Sequence, residues 1–464
     1  MWLDLDPRFR GDDGAGPFHS PLPLGGATIA VVPTDTNPFF HRGPVREPAY
    51  FFGRVREMEF AADLLRQGQS VAVSGPRRIG KTSLLFHLAQ PEVAAAHGLG
   101  PEAARWVYLD GGMLDGLDEE WLYGAVDRAL GGDADAVPYG RFVERLRALA
   151  APPPAGQRLI LALDEFELIA ANPRLGPALF NRLRGLTAQY PLQFITAARD
   201  PLWQLSFAHR ETLSSPFFNI FAPLPLGLFS DEEAGALLDT LSARGRKAGF
   251  AAETVAFILA LAGPHPLFLQ VAAYRTFAAL GGHAGKKLTD EMMAAIRTQV
   301  LADLESHLSY YWNNLDAEAQ YILAALPLLE RDVRTDALAR LETAGLVRAG
   351  NYLGSALEEH VRRQKLEGLQ QAGPFLLDTR RGLAAVGGQQ VHLTPTEYAA
   401  LRLFMEHPGR VLTPEDIEAA LWPGEISPDP ERARGVVKKL RAALGPGGEA
   451  IVNRRGQGYL LSLQ

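Results

Sequence analysis

The chain contains no cysteine among its 464 residues. This absence excludes disulfide bonds, thiolate metal sites and cysteine nucleophiles, and it favours an intracellular protein. No apolar run approaches the roughly 20 residues that a membrane-spanning helix needs. The first residues carry Asp4, Asp6, Asp12 and Asp13 rather than the apolar core of a signal peptide. We therefore expect a cytoplasmic protein that does not associate with a membrane.

The chain also lacks an excess of positive charge. Its formal net charge is −7, with 46 Lys and Arg against 53 Asp and Glu. Any surface that binds nucleic acid must therefore be local. A hydrophobic content of 47% and a charged content of 21% are typical of a globular protein. On length alone we expect about three domains.

The strongest motif is the stretch GPRRIGKTS at residues 75–83. It matches the Gly-x-x-x-x-Gly-Lys-Thr phosphate loop, preceded by a short apolar run and followed by a stretch with helical spacing. In such a loop successive N–H groups and a helix N-terminus form an anion site. Lys81 would contact the β- and γ-phosphates, and the hydroxyl of Thr82 would bind Mg²⁺. The predicted ATP/ADP-binding residues of the loop are Gly75, Pro76, Arg77, Arg78, Ile79, Gly80, Lys81, Thr82 and Ser83. The alternative, a chance glycine-rich turn, is disfavoured by the strand and helix context.

The second motif is the acidic pair Asp164-Glu165, which follows an apolar run at residues 159–163. A continuous apolar run is typical of a strand buried on both faces of a parallel sheet, and such sheets bind ligands at the carboxyl ends of their strands. Asp164 would hold Mg²⁺ through water, and Glu165 would orient or deprotonate the attacking water. The alternative is an ordinary strand end, since an apolar run before Asp-Glu is common.

The motifs together resemble the signal-transducing P-loop ATPases of the STAND group and the related archaeal-type ATPases of the AAA superfamily. The resemblance rests on NPF at residues 37–39, FFGR at residues 51–54, the phosphate loop, and AGPHPLFLQ at residues 262–270. It implies that Gly53 and Arg54 lie beside the adenine, and that His265 and Pro266 form a lid turn that touches the nucleotide. A turn histidine without a role is the alternative for His265. Pro264 departs from the pattern, which has a second glycine at this position.

The same resemblance assigns Arg199, at the end of the predicted strand LQFITAARD, to the γ-phosphate. The alternative is a surface arginine in a salt bridge, and the sequence does not separate the two. Beyond the predicted lid, residues 303–366 resemble the winged-helix domain that follows such lids. Their helices lack a basic face, so we interpret this segment as a relay or packing module.

The last ninety residues resemble the effector domain of OmpR/PhoB-type response regulators, through LTPTEYAALRLF, HPGRVLTPEDI, LW and RGQGYLL. The resemblance implies a helix in the DNA major groove and a β-hairpin on phosphates or the minor groove. In residues 430–444 the apolar residues recur at helical spacing, and basic residues occupy the opposite face. The predicted DNA-binding residues are Arg432, Arg434, Lys438, Lys439, Arg441, Arg454 and Arg455. The family's usual Val-Asp-Val-His start of this helix is absent, so base preference cannot be carried over. The alternative is a basic face on a protein-binding winged helix.

The sequence thus predicts an α/β P-loop ATPase with a parallel sheet and a helical lid, followed by two winged-helix domains. The expected divisions are a disordered extension at 1–36, the ATPase core at 37–230, the lid at 231–300, the relay winged helix at 303–366, a linker at 367–374 and the OmpR/PhoB-type domain at 375–464.

The predicted function is ATP-dependent transcription regulation, in which a slow ATPase serves as a switch. Double-stranded DNA is the expected partner, with RNA polymerase and a second copy of the chain as further candidates. The alternatives are a turnover ATPase that uses the winged helix to reach DNA, and a protein-interaction scaffold with a structural nucleotide.

Overall fold

The computed structural model describes residues 37–39, 43–114, 116–151, 156–205, 216–244, 248–329, 335–424 and 429–463. The predicted disordered extension at residues 1–36 lies outside the described residues. The described chain forms two compact units, one within Met1–Leu259 and Pro264–Ile296, the other within Ala260–Gly263 and Arg297–Gln464.

The first unit is built on a five-stranded parallel sheet. Its strands are β1 (Ser70–Ser74), β2 (Ala104–Asp110), β3 (Arg158–Asp164), β4 (Leu192–Ala198) and β5 (Phe221–Pro225). They lie in the order β2-β3-β4-β1-β5. Because all five strands run the same way, Ser74, Asp164 and Ala198 end at one edge of the sheet. Helices of the same unit are α1 (Val55–Arg66), α2 (Lys81–Leu88), α3 (Pro91–Ala96), α4 (Glu119–Ala129), α5 (Tyr139–Leu149), α6 (Phe166–Ala171) and α7 (Pro177–Gln189).

The apolar run in β3 is buried on both faces of the sheet. Leu159, Leu161 and Leu163 belong to one hydrophobic cluster, and Ile160 and Ala162 belong to another. Alternate side chains of a strand point to opposite faces, so only a run without polar residues can serve both clusters. This is the arrangement that the sequence predicted.

The predicted lid is helical. It contains α8 (Asp231–Ala243), α9 (Ala252–Ala262) and α10 (Pro266–Ala279), and α11 (Asp290–Asn313) follows. Helix α8 begins with a capping box, in which the Ser230 side chain accepts from the Glu233 N–H and the Glu233 carboxylate accepts from the Ser230 N–H. Among the described residues, no helix has the length and apolar character to cross a membrane.

The second unit begins with a helix–helix–hairpin–helix pattern. After α11 come α12 (Ala317–Ala324), α13 (Asp336–Thr343), strands β6 (Val347–Arg348) and β7 (Asn351–Tyr352), and α14 (Ser355–Arg362). This is the order expected for the relay winged helix, and we call residues 303–366 the relay module.

A four-stranded antiparallel sheet opens the C-terminal domain. It contains β8 (Leu369–Ala372), β9 (Phe375–Asp378), β10 (Leu383–Val386) and β11 (Gln389–Val391), in the order β11-β10-β9-β8. The segment expected to be a linker, residues 367–374, therefore contains a strand. Gly373 and Pro374 form the two-residue loop of the hairpin between β8 and β9, and Gly373 has a φ of +54°.

The rest of the C-terminal domain is three helices and a second hairpin. These are α15 (Pro395–Glu406), α16 (Pro414–Leu421), α17 (Pro430–Ala443), β12 (Ile451–Arg454) and β13 (Gly458–Leu461). Helices α15 and α16 begin with the capping boxes Thr394/Glu397 and Thr413/Asp416. The predicted apolar stripe of α17 is buried with α15, α16 and both sheets. The fold class is as predicted, an α/β P-loop unit with a helical lid followed by two winged helices.

Candidate functional site

The loop at residues 75–80 connects β1 to α2 and has the geometry of a phosphate loop. A Cβ on Gly75 would lie 2.3 Å from the Leu226 carbonyl oxygen, so no other residue fits there without a shift. Gly80, the residue before α2, has a φ of +106°, which favours glycine. The first turn of α2 thus presents unpaired N–H groups beside a loop turned back on itself.

Lys81 is folded over this loop. Its Nζ donates to the carbonyl oxygens of Gly75 at 2.8 Å and Pro76 at 3.0 Å. Burial lowers the pKa of Lys81, while nearby carboxylates, first that of Glu167, raise it. Burial outweighs the carboxylates, so the net shift of the Lys81 pKa is downward.

The other loop residues have more varied surroundings. The Ile79 side chain is 1% exposed and packs on Gly75. Arg77 and Arg78 are exposed, and Arg78 has a positive φ of 62°. Thr82 is half-buried in the first turn of α2. The Ser83 hydroxyl accepts from the Val45 N–H at 2.9 Å, which holds the chain before α1 against the start of α2.

Asp164 ends β3 and is almost fully buried, with 3% exposure. Its Oδ2 accepts from the Tyr108 hydroxyl at 2.9 Å and its Oδ1 accepts from the Glu165 N–H at 3.0 Å. An ionised carboxylate has about four acceptor positions, so these two bonds leave room for a metal-bound water. The set of carboxylate and hydroxyl oxygens suits Mg²⁺. No group of three or more His, Asp or Glu is arranged to bind a metal in the described ranges.

Glu165 follows in a left-handed conformation, with φ 46° and ψ 45°. Such a conformation in a non-glycine residue costs free energy and clusters at functional sites. A Cβ on Gly112 would lie 3.7 Å from Glu165 Oε2 and 3.3 Å from Asp110 Oδ1, so the two carboxylates face the same small space. Burial and then the charge of Asp110 raise the pKa of Glu165, and Arg77 opposes them. A carboxylate with a raised pKa is a better base for water.

Three residues of this site were not predicted from the sequence. Tyr108 holds Asp164, Asp110 is opposite Asp164 in the parallel register of β2 and β3, and Glu167 acts on Lys81. Tyr108 and Asp110 are two positions apart on β2 and so share a face. For Tyr108 and Asp110, this two-residue spacing was the sequence signal from which a shared position at the site could have been predicted.

Arg54 is buried, with 3% exposure, and its guanidinium is held by protein groups. It donates to the carbonyl oxygens of Gly227 at 2.6 Å and Ile79 at 3.3 Å, and it lies over the Phe229 ring at 4.6 Å. The Arg54 N–H donates to Glu233 Oε1 at 2.6 Å, and a Cβ on Gly53 would lie 2.7 Å from that oxygen. Arg54 therefore ties the phosphate loop to the segment that leads into α8.

The lid turn joins the same neighbourhood. The Phe229 N–H donates to the Pro264 carbonyl at 3.0 Å. His265, 1% exposed, is the N-cap residue of α10 and stacks on Phe268, and Pro266 occupies the first turn of that helix. Phe229 thus contacts both Arg54, predicted for the adenine side, and Pro264, the residue before the predicted lid residue His265.

Arg199 lies at the edge where β4 ends. Its Nε is 3.1 Å from Asp200 Oδ2, and its side chain is 50% exposed. Its carbonyl oxygen accepts from the Gly75 N–H at 3.2 Å, so this backbone lies against the start of the phosphate loop. Of the two interpretations of Arg199, the salt bridge is present, and the phosphate role stays a prediction.

A second candidate site is the basic face of α17. Ala433, Val437 and Leu440 are buried, whereas Arg434, Lys438 and Arg441 line a groove of about 540 Å³ between α17 and the β12–β13 hairpin. Arg434 also forms an ion pair with Glu431. The Arg441 Nε donates to the Gly448 carbonyl at 3.3 Å, so this side chain already connects α17 to the following turn.

The remaining predicted basic residues flank the groove. Lys439 is exposed on α17, and Arg454 and Arg455 are exposed at the hairpin tip. The Arg432 guanidinium lies 3.7 Å from the centre of the Trp422 ring. The helix and the hairpin therefore bring the seven predicted side chains onto one domain, with most of the charge facing solvent.

Comparison with known families identifies this domain. Residues 388–461 match the family model described as "Transcriptional regulatory protein, C terminal". This part of the chain is a domain of the OmpR/PhoB type. The match covers less than half of the chain, so it classifies the domain and not the whole protein.

Known proteins with similar sequences include response regulators. The two-component response regulator PhoP of Pseudomonas aeruginosa is 30% identical over 144 residues, which are 31% of this chain and 55% of that protein. The chain thus spans little more than half the length of this relative. Among solved structures, the DNA-binding domain of CpxR from E. coli is 26% identical, with 20% of this chain and 95% of that domain covered and a TM-score of 0.19.

The ORC2 protein of Aeropyrum pernix, in ADPNP and ADP complexes, covers 71% of this chain and 98% of its own, with 16% identity and a TM-score of 0.47. A TM-score below 0.5 is too low to establish a shared arrangement. The assignment of the first unit as a P-loop fold therefore stands on its parallel sheet, its loop geometry and the acidic ends of β2 and β3.

Proposed function

We propose that this protein is an ATP-binding transcription regulator, in which a STAND-like nucleotide switch controls DNA binding by the C-terminal domain. The observation that carries the proposal is the occurrence, in one chain, of a phosphate loop with its acidic partners and of an OmpR/PhoB-type domain with a basic α17. In this proposal the nucleotide state changes how strongly the C-terminal domain binds DNA, which gives both sites one function.

The nucleotide part of the proposal assigns roles to the residues around the loop. ATP or ADP phosphates lie on the N–H groups of Arg77, Arg78 and residues 80–83, with Lys81 turning from its loop carbonyls to the β- and γ-phosphates. The adenine lies beside Gly53 and Arg54, and the lid turn contacts the nucleotide through His265 and Pro266. Arg199 binds the γ-phosphate and so distinguishes ATP from ADP.

Magnesium fits the oxygen groups that face the loop. Thr82 would bind the ion directly, and Asp164 would bind it through water. The remaining ligands would be phosphate and water oxygens, as is usual for Mg²⁺. When bound, the ion supplies charge neutralisation on the phosphates.

Slow hydrolysis would reset the switch. Glu165 would orient or deprotonate the attacking water, and its raised pKa supports that role. The same carboxylate supports the second candidate, a turnover ATPase that uses the winged helix to reach DNA. Hydrolysis stimulated strongly by DNA would favour that second function.

The DNA part of the proposal assigns phosphate and groove contacts to α17 and the hairpin. Positive charge here is concentrated in a chain of net charge −7, and such a local patch provides the salt-dependent part of DNA affinity. RNA polymerase is a further proposed partner, as is self-association on binding ATP or DNA. Sedimentation of the protein with ATP and DNA, alone and together, measures the self-association.

The deciding experiment measures affinity for a promoter fragment from the protein's own locus at fixed salt, with ATP, ADP or no nucleotide. We expect a change of tenfold or more, which corresponds to about 1.4 kcal/mol of coupling. Lys81→Ala should abolish the change, whereas Lys287→Ala, an equal loss of charge at an exposed lysine, should keep it. Affinity that is the same in all three states would overturn the proposed switch.

A further inference from the structure

The four-stranded sheet of the C-terminal domain has two apolar faces. Strand β9 places Phe375 and Leu377 in the core with α15–α17, while Leu376 points to the opposite face. Strand β10 does the same with Ala384 and Ala385. A sheet with one face in water would alternate apolar with polar residues, so this sheet is built to be covered on its outer face.

The relay module covers that face. Leu328, 1% exposed, forms one hydrophobic cluster with Leu376 and Ala385, and Leu369 and Leu383 pack on its margin. Leu328 lies in the short 3-10 helix Leu326–Leu328 that follows α12. Both modules belong to the same compact unit.

A buried aspartate forms the polar centre of this contact. Asp378, 0% exposed, ends β9, and its Oδ2 accepts from the hydroxyl of Tyr321 on α12 at 2.5 Å. Its Oδ1 accepts from the N–H groups of Arg380 and Arg381, each at 3.0 Å. The Arg380 guanidinium also lies 5.6 Å from the Tyr321 ring centre. A buried carboxylate with three donors is costly to separate from any one of them.

The same residue reaches the helices of the C-terminal domain. The Tyr398 hydroxyl, in the first turn of α15, donates to the Asp378 carbonyl oxygen at 2.9 Å. Helix α15 in turn shares a core with α17 through Phe404, Val437 and Leu440. Asp378 therefore contacts the relay module through Tyr321, and it contacts α15, which packs against α17, through Tyr398.

We propose that the outer face of the β8–β11 sheet is a docking surface for the relay module of the same chain, held by Leu328 and by the Tyr321–Asp378 bond. The relay module and the C-terminal domain then move as one body, and the basic face of α17 is carried by the relay module rather than by a free tether. This regulatory consequence rests on the proposed nucleotide switch, whereas the docking itself does not.

The docking is tested by amide hydrogen exchange on the full chain. Leu328→Asp places a charge in the apolar contact, and Tyr321→Phe removes only the bond to Asp378. Both should raise exchange in β9, β10 and α12, at least threefold for the first and less for the second. Tyr352→Phe, in the relay hairpin, is the matched control, because no hydrogen bond of its hydroxyl is found in the described part of the chain. Unchanged exchange in Leu328→Asp would overturn the docking.

The regulatory consequence is tested in the same proteins by DNA affinity with ATP and ADP. In Leu328→Asp the nucleotide effect should fall from tenfold or more to less than threefold, while ATP affinity stays within twofold of the unmodified protein. A nucleotide effect of full size, together with raised exchange in β9 and β10, would show that the signal does not pass through this contact. If the unmodified protein has no nucleotide effect, the proposed switch fails, and the exchange data still decide the docking.

Discussion

Three features of Glu165, a residue of the candidate nucleotide site, raise the free energy of the folded protein. It has a left-handed backbone, it is partly buried, and it faces a second carboxylate, Asp110, across Gly112. Each feature is unfavourable for folding alone. Together they give a carboxylate whose pKa is raised and whose position is fixed beside the phosphate loop, which is what activation of water requires.

The charges around Glu165 predict opposite shifts of its pKa in two variants. Asp110 raises the pKa of Glu165 and Arg77 lowers it. Asp110→Asn should therefore move the pKa of Glu165 down, and Arg77→Ala should move it up. The measurement is the carboxyl carbon shift of Glu165 against pH, by nuclear magnetic resonance, in protein free of nucleotide and metal. Shifts of the same sign in both variants would contradict this account of the site.

The positions of residues at this site could be predicted where they depend on local sequence, and their roles stay predictions. The loop glycines, Lys81, Asp164 and Glu165 were found because the motif and the strand ends are contiguous. Arg54 was predicted for the adenine side, but its bonds to Ile79 and Gly227 cross 25 and 173 residues. Sequence spacing carries no information on such pairs, so the tie between the phosphate loop and the lid segment emerged only from the structure.

Among the elements, helix α17 is amphipathic. Its apolar stripe is buried and its basic stripe lines the groove beside the hairpin. Helical periodicity alone predicts this division. Strand β8 could not be predicted in the same way. It is short and of mixed polarity, so its sequence has no strand periodicity, and it is stabilised by its pairing with β9.

The basic stripe of α17 gives a prediction about salt. Each phosphate contact contributes about 0.9 to the slope of log affinity against log salt concentration. Lys438→Ala should therefore weaken binding to every DNA sequence and reduce that slope by about 1. Lys365→Ala removes the same charge from an exposed site outside the stripe and should leave the slope unchanged. The measurement is a salt titration of DNA affinity. An unchanged slope in Lys438→Ala would mean that this lysine faces no phosphate.

At the scale of the whole molecule, the distribution of charge matters more than its sum. The chain is acidic overall, with a pI near 5.9, yet seven of its 46 Lys and Arg residues lie together on α17 and the β12–β13 hairpin. General repulsion from DNA therefore competes with local attraction. In the proposed DNA complex such a balance would make affinity sensitive to small changes in how the C-terminal domain is presented, because this local patch supplies the attraction.

The proposed switch must act in both directions, which gives the last prediction. If ATP changes DNA affinity by some factor, DNA must change ATP affinity by the same factor, because the two bindings form a closed cycle. We expect titration calorimetry of ATP, with and without saturating promoter DNA, to give the factor obtained from DNA binding with and without ATP. Lys438→Ala combined with Arg434→Ala should remove the effect of DNA on ATP affinity, since the DNA is no longer held. Equal ATP affinities with and without DNA, beside a tenfold effect of ATP on DNA binding, would break the cycle and would mean that another equilibrium, such as self-association, accompanies one of the two bindings.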